Sequence, residues 1–206
     1  MITFAGPRAP LRLLLLLLAC LAAPAAYAGS DALSEGWMLE RGAAEPSYAA
    51  VVPTRTNVNI DTVVLACEQG WGDRLLQLQL YLTDEGVLRP VYPHGRPLDD
   101  DPRAEASIDD KVFPVVLLFA EDHVVLADAQ VGPFPLLSDA FLDAMQAGRT
   151  MTLRFDLLAE WSGASTFDSE AVVDLQAPGG REAIAAVRRC AEPGDAPRTA
   201  RSYLGQ

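Results

Sequence analysis

The chain has 206 residues, 50% of them hydrophobic, with 16 Lys+Arg against 28 Asp+Glu and a formal net charge of −12. That acidity excludes nucleic acid and anionic lipid headgroups as partners, since both select basic patches, and the apolar fraction excludes wholesale disorder. The length suits one domain with a real hydrophobic core.

Taken in chain order, Arg8 and Arg12 come first, followed by an apolar run over residues 13–23, a break at Pro24 and the small-residue pattern Ala26-Tyr27-Ala28. A positive start, a short apolar stretch and an A-x-A site describe a secretory signal peptide over residues 1–28. A spanning helix needs about 20 apolar residues, and this run stops short of that. No transmembrane helix is expected after leader removal, and cleavage after Ala28 removes two arginines and no acids, giving a mature charge of 14 − 28 = −14. A competing reading takes Leu17-Leu18-Ala19-Cys20 as a lipobox, which would leave a lipoprotein anchored through Cys20. Both readings place the chain in the periplasm or outside the cell.

Residues 29–60 read as an irregular lead-in anchored by Trp37-Met38-Leu39, with a first strand over residues 47–52. Residues 61–67 form a short apolar run consistent with a buried strand, and Gly70 and Gly72 place Trp71 in a turn. In residues 76–82 leucine recurs at every second position while Gln77, Gln79 and Tyr81 take the other face. Leucine favours helix by propensity, yet period two lines up a single face only in a strand. Turn residues 83–86 then return the chain through a strand over residues 87–91.

Residues 93–103, with Pro93, His94, Gly95, Pro97, Asp99-Asp100-Asp101 and Pro102, read as a loop. Ala104, Ala106 and Ile108 alternate with polar neighbours up to a hairpin tip at Asp109-Asp110. Residues 112–119 are nearly all apolar and predict a central strand, with Pro114 marking an edge or bulge. Residues 124–127 form the returning strand. Ser138 predicts the N-cap of a first helix that Gly148 ends, with Asp139 in its positive first turn. Met151, Leu153, Phe155 and Leu157 alternate with Thr152, Arg154 and Asp156 in another strand, and residues 167–175 read as one more. Residues 181–190 form a last helix whose buried stripe is Ile184, Val187 and Cys190, spaced by three. The organisation is thus a single β-rich domain over residues 61–190 and a flexible tail over residues 191–206. Its fold class is α+β, mostly antiparallel β (a meander sheet or two-layer sandwich), with two short helices.

Cys67 and Cys190 survive leader removal, and two cysteines in an exported domain predict one disulfide. A redox site would want C-x-x-C and zinc would want four ligands at short spacing. The sequence has neither pattern.

A hydrolase needs a nucleophile, a base and an orienting group. The two histidines, His94 and His123, both fall in loop-like or hairpin-tip positions, and Ser162 and Ser165 lack a G-x-S-x-G setting. Asp99-Asp100-Asp101 lacks the alternating spacing of a calcium loop. No catalytic residue, cofactor or metal is therefore assigned. Candidate partner-contact residues are Gln77, Gln79 and Tyr81 on the polar face of their strand, with Trp71 and Trp161, whose Gly- and Ser-rich surroundings favour exposure. For the tryptophans, core anchoring is the competing role.

The helix Phe141-Leu142-Asp143-Ala144-Met145-Gln146-Ala147-Gly148, the strand Met151-Thr152-Leu153-Arg154-Phe155, and the closing helix from Gly180 to a cysteine at Cys190 share a cadence with known exported modules. Over residues 60–190 the chain resembles the periplasmic invasion-associated locus B group and the type VI secretion-associated VasI group. The resemblance implies a β-rich, non-enzymatic envelope accessory protein and carries over no catalytic residues. The expectation is an exported module that binds an envelope protein. Alternatives are a carrier or sensor of a small apolar ligand within the strands and, further off, a hydrolase.

Overall fold

Period-two patterning carries most of this chain into strands, and the strands pair almost entirely with near neighbours in sequence. The computed structural model describes residues 36–192 apart from 71, 85, 94 and 160–166. The leader, Cys20, Trp71, His94, Trp161, Ser162, Ser165 and the tail beyond 192 lie outside the described residues. The strands are β1 (Met38–Leu39), β2 (Tyr48–Val51), β3 (Arg55–Thr56), β4 (Ile60–Gln69), β5 (Arg74–Leu82), β6 (Leu98–Ile108), β7 (Lys111–Phe119), β8 (His123–Ala127), β9 (Ala129–Val131), β10 (Phe134–Leu136), β11 (Thr150–Leu158) and β12 (Ser169–Asp174). Two helices, α1 (Asp139–Ala147) and α2 (Gly180–Ala191), complete the described elements. The class is α+β with antiparallel strands throughout.

Ten strands form one sheet in the order β1-β2-β4-β5-β8-β7-β6-β11-β12-β3, and β9 and β10 form a separate hairpin. The sheet curls. β2 and β3 lie near opposite ends of that order, yet only residues 52–54 join them, and Thr54 N–H donates to Val172 O at 2.8 Å. Trp37 adds a second tie between the ends: its backbone N–H donates to Pro178 O at 2.9 Å and its indole N–H to Asp174 O at 3.1 Å.

The concave side holds the core. Leu65, Leu78, Leu80, Leu126, Leu153 and Phe155 reach it from the sheet, and Phe141, Met145 and Ile184 from the helices, all fully enclosed. α1 starts where its cap predicts: Ser138 Oγ accepts from Phe141 N–H at 3.1 Å and donates to Asp128 Oδ2 at 2.5 Å. Phe141, Leu142 and Met145 are its buried face, and the Phe141 ring lies 4.8 Å from that of Phe113. α2 packs on β2, β4 and β5 and against α1. Its entry is tight: a Cβ at Gly180 would stand 2.3 Å from Leu175 O and 2.9 Å from the Trp37 indole, so glycine is required there for space. Cys190, at the end of α2, is bonded to Cys67 on β4 across a sequence separation of 123, with Cα atoms 6.3 Å apart. The last helix is thereby clamped to an early strand.

Three expectations need correction. In residues 36–59, β2 matches the strand expected over residues 47–52, and β1 and β3, read as irregular, also join the main sheet. Residues 87–91 form no strand: only Val58 and Pro90 bridge, and buried Asn59 organises the segment instead. Asn59 Nδ2 donates to Asp84 Oδ1 at 3.0 Å and Val87 O at 3.1 Å, and its Oδ1 accepts from Arg89 N–H at 2.8 Å. Residues 98–103, read as loop, belong to β6, with Arg103 opposite Asp156 and Leu98 opposite Leu158 across an irregular register. Pairing at Arg103 and Leu98 carries the Asp-Pro run between them as an irregularity within β6.

β7 is central in the sheet order, as expected, and is enclosed on one face only. Phe113 and Val115 are buried, whereas Val112, Val116 and Leu118 are 54, 57 and 40% exposed. β7 pairs with β6 through residues 111–115 and with β8 through residues 116–119, so it bridges two halves of the curl. Pro114 lies where β6 is its only strand neighbour, consistent with the expected edge.

Candidate functional site

The convex face of the sheet is where binding residues are to be sought, since the concave face is consumed by packing. On β5, Leu76, Leu78 and Leu80 face the core, and Gln77, Gln79 and Tyr81 face outward. The registers carry that outward face across neighbouring strands as one row: Met38, Ala50, Val64, Gln79, Val125 and Leu118 stand directly opposite one another in turn. A parallel row includes Val116 opposite Ala127. The middle of this face is shielded by its own side chains, with Val64, Gln79 and Val125 at 8, 5 and 7% exposure. The β7 end is open. Val112, Val116 and Leu118 project there, and no second described layer covers them.

A polar chain runs through the middle of the face, over β4, β5 and β8. Gln79 Nε2 donates to Glu68 Oε1 at 2.9 Å, and Tyr81 Oη donates to Gln79 Oε1 at 3.3 Å. Tyr81 stacks on His123, with ring centroids 5.4 Å apart and planes 24° from parallel. His123 Nδ1 donates to Asp122 Oδ1 at 2.7 Å. Burial raises the Tyr81 phenol above its ordinary range, because the phenolate would lose water, and the charges of Asp122 and Glu68 add to that. The hydrogen bond from His123 holds the Asp122 carboxyl below the usual range. The chain orients a tyrosine and a histidine beside carboxylates. Among the described contacts of His123 there is an acid and an aromatic ring, but no hydroxyl or thiol in position to act as its nucleophile.

The sequence-derived candidates are therefore placed as follows. Gln77 is buried, its Nε2 donating to Pro135 O at 2.7 Å, so the β9–β10 hairpin occupies its outward side. Gln79 and Tyr81 sit in a shallow depression of about 470 Å³ with Tyr48, Asp61 and Val64 among its walls. His123 belongs to β8 and not to a solvated tip. Asp99, Asp100 and Asp101 lie along β6, and among the described residues no group of three or more His, Cys, Asp or Glu is placed to hold a metal ion. Two further depressions open on the surface. One, of about 380 Å³, lies between β5 and the helices and includes Leu75, Leu136 and Leu142. The other, of about 630 Å³, lies at the β7–β8 turn and is lined in part by Phe119, Asp84, Glu121 and Asp122. Among the described residues no helix is long and apolar enough to cross a membrane.

Sequence reasoning missed the outward half of β7. Its signal was present in Pro114, which marks a strand with an open side, but the unbroken apolar run concealed which residues face outward. No family model, no curated protein and no solved structure matches the chain.

Proposed function

We propose that this chain is an exported, non-enzymatic accessory module that binds another protein of a bacterial envelope. The single observation that carries the reading is the open apolar end of the convex face, where Val112, Val116 and Leu118 project from mid-sheet. Contiguous exposed apolar surface on a soluble body is costly and marks interaction sites. The leader pattern and the Cys67–Cys190 disulfide support an oxidising compartment such as the periplasm. The cadence shared with the invasion-associated locus B and VasI groups points the same way.

The test is capture from envelope extracts with the full chain as bait, in parallel with the double variant Val116→Asp/Leu118→Asp. The wild type should retain the same envelope protein in repeated trials, and the variant, folded to the same melting temperature, should retain it at least about tenfold less well. Failure of the wild type to retain any reproducible partner at native levels removes the reading.

A further inference from the structure

The ten-stranded sheet is not continuous along β7. β6 and β7 pair from Ile108/Lys111 up to Ala104/Val115 and then part. Beyond that point β6 pairs with β11 at Arg103 and Leu98, across a register shift that spans residues 99–102, and β7 residues 116–119 pair with β8. The gap between them is bounded by two strand edges that carry no further strand among the described residues.

The alternation of an antiparallel ladder shows which backbone groups face the gap. Ala120 N–H donates to His123 O at 3.0 Å across the two-residue turn at Glu121 and Asp122. Counting back from that bonded pair, Leu118 and Val116 turn their amide groups toward β8, and Leu117 and Phe119 turn theirs away, into the gap. The same count from Ile108/Lys111 turns the amide positions of Val112 and Pro114 away from β6. There the open edge is blunted, because Pro114 has no N–H to offer.

Folded proteins protect open edges with proline, charge or bulges, since an unprotected edge is a template for another strand. The β6 side of the gap has Asp99, Asp100, Asp101 and Pro102. The first half of β7 has Pro114. The second half, Val116-Leu117-Leu118-Phe119, has no proline, no charge and no bulge. One edge of three is left able to pair.

We infer that β7 residues 116–119 accept an added strand from another protein, a segment in extended conformation that alternates apolar residues with lysine or arginine. This rests on the protein-binding reading above and specifies its mode. Main-chain bonds to Leu117 and Phe119 supply the pairing, and side chains on one face lie beside Val116 and Leu118. Charge selects the occupant. The acidic run of β6 borders one side of the gap, and the depression at the end of β7, of about 630 Å³, brings Phe119 together with Asp84, Glu121 and Asp122. A cationic strand is attracted to both. A second copy of this chain, with a net charge of −12, is repelled.

The experiment is residue-resolved amide hydrogen exchange on the full chain with three synthetic heptapeptides. The first alternates lysine and valine; the second replaces lysine by glutamate; the third is the lysine–valine peptide N-methylated at every residue, which keeps its charge but removes the donors on both edges. The lysine–valine peptide should slow exchange at Leu117 and Phe119 at least about tenfold, and the other two should leave both amides unchanged. Equal protection by the methylated peptide overturns strand addition in favour of charge adsorption, and protection by the glutamate peptide overturns the charge selection. Protection without peptide that rises with protein concentration overturns it in favour of a second copy. Absence of protection at millimolar lysine–valine peptide also overturns it. Phe119→Pro removes one gap-facing N–H where proline costs no β7–β8 bond. If this variant, folded as the wild type, still captures the same envelope partner, strand addition fails while protein binding stands. If the wild type itself captures nothing, the protein-binding reading is what fails.

Discussion

Removing the Cys67–Cys190 bond tests the architecture most directly. The bond ties β4 to the end of α2 over a sequence separation of 123 and is the covalent closure of nearly the whole β-rich body. In the chain-entropy model, opening a loop of that size returns about 5 kcal/mol of freedom to the unfolded chain. For a domain of about 160 residues, each kcal/mol corresponds to roughly 2–4 °C in melting temperature, so Cys67→Ala/Cys190→Ala should melt about 10–20 °C lower. Urea unfolding should also show a steeper slope, because the uncrosslinked chain exposes more surface when it unfolds. Native structure should persist at low temperature, since α2 keeps Ile184 and Val187 fully enclosed without the bond. Differential scanning calorimetry with urea titration of wild type and variant measures both quantities. A melting change of under about 3 °C, with an unchanged urea slope, would refute the claim that this bond constrains the unfolded chain across the whole domain.

Two further predictions are sharper in position than in size. Gly180→Ala forces a Cβ onto Leu175 O and the Trp37 indole and should cost about 1–3 kcal/mol in urea unfolding, whereas Gly72→Ala, with nothing within 4 Å of its Cβ, should change stability by under about 0.5 kcal/mol. Tyr81 should ionise above its ordinary value of 10.0, read from phenolate absorbance as the difference between wild type and Tyr81→Phe. The neutral phenol is the form the fold favours, so its contribution to stability is intact below pH 10.0 and fades as pH rises through the higher folded value. Asp122→Asn should move the Tyr81 titration back down; a Tyr81 that ionises at or below 10.0 in the wild type contradicts the burial argument.

Local order was legible in the sequence where one residue's chemistry decides it. Period-two leucines identify β5 because no other backbone geometry puts them on one face. Ser138 and Gly148 bracket α1 because a cap hydroxyl and a terminating glycine act within a turn of the helix. The disulfide followed from compartment and count. What stayed hidden depends on partners distant in sequence. Asp99, Asp100 and Asp101 look like loop until β11 pairs with Leu98 and Arg103 on either side of them, and residues 87–91 look like strand until Asn59 takes their backbone groups. The candidate site was half legible: Gln79 and Tyr81 do share an outward face, but Gln77 is claimed by Pro135. The open end of that face lies on β7, where an apolar run gives no sign of which of its residues meet the core.

That ambiguity makes β7 a place where stability and binding can be separated residue by residue. Phe113 is 6% exposed and packs its ring at a tilt against Phe141, so Phe113→Ala should cost about 3–5 kcal/mol. Val116, three positions on and 57% exposed, makes the opposite case: Val116→Lys removes apolar surface already in water and should change stability by under about 0.5 kcal/mol. Chemical denaturation of the two variants measures both effects. A cost above about 2 kcal/mol for Val116→Lys would mean that another part of the protein covers β7, and the open face would cease to exist as a docking surface. The predicted asymmetry has the reverse implication. Val112, Val116 and Leu118 would then contribute almost nothing to holding the fold together, and β7's apolar outward side would have to be accounted for by what comes to rest on it.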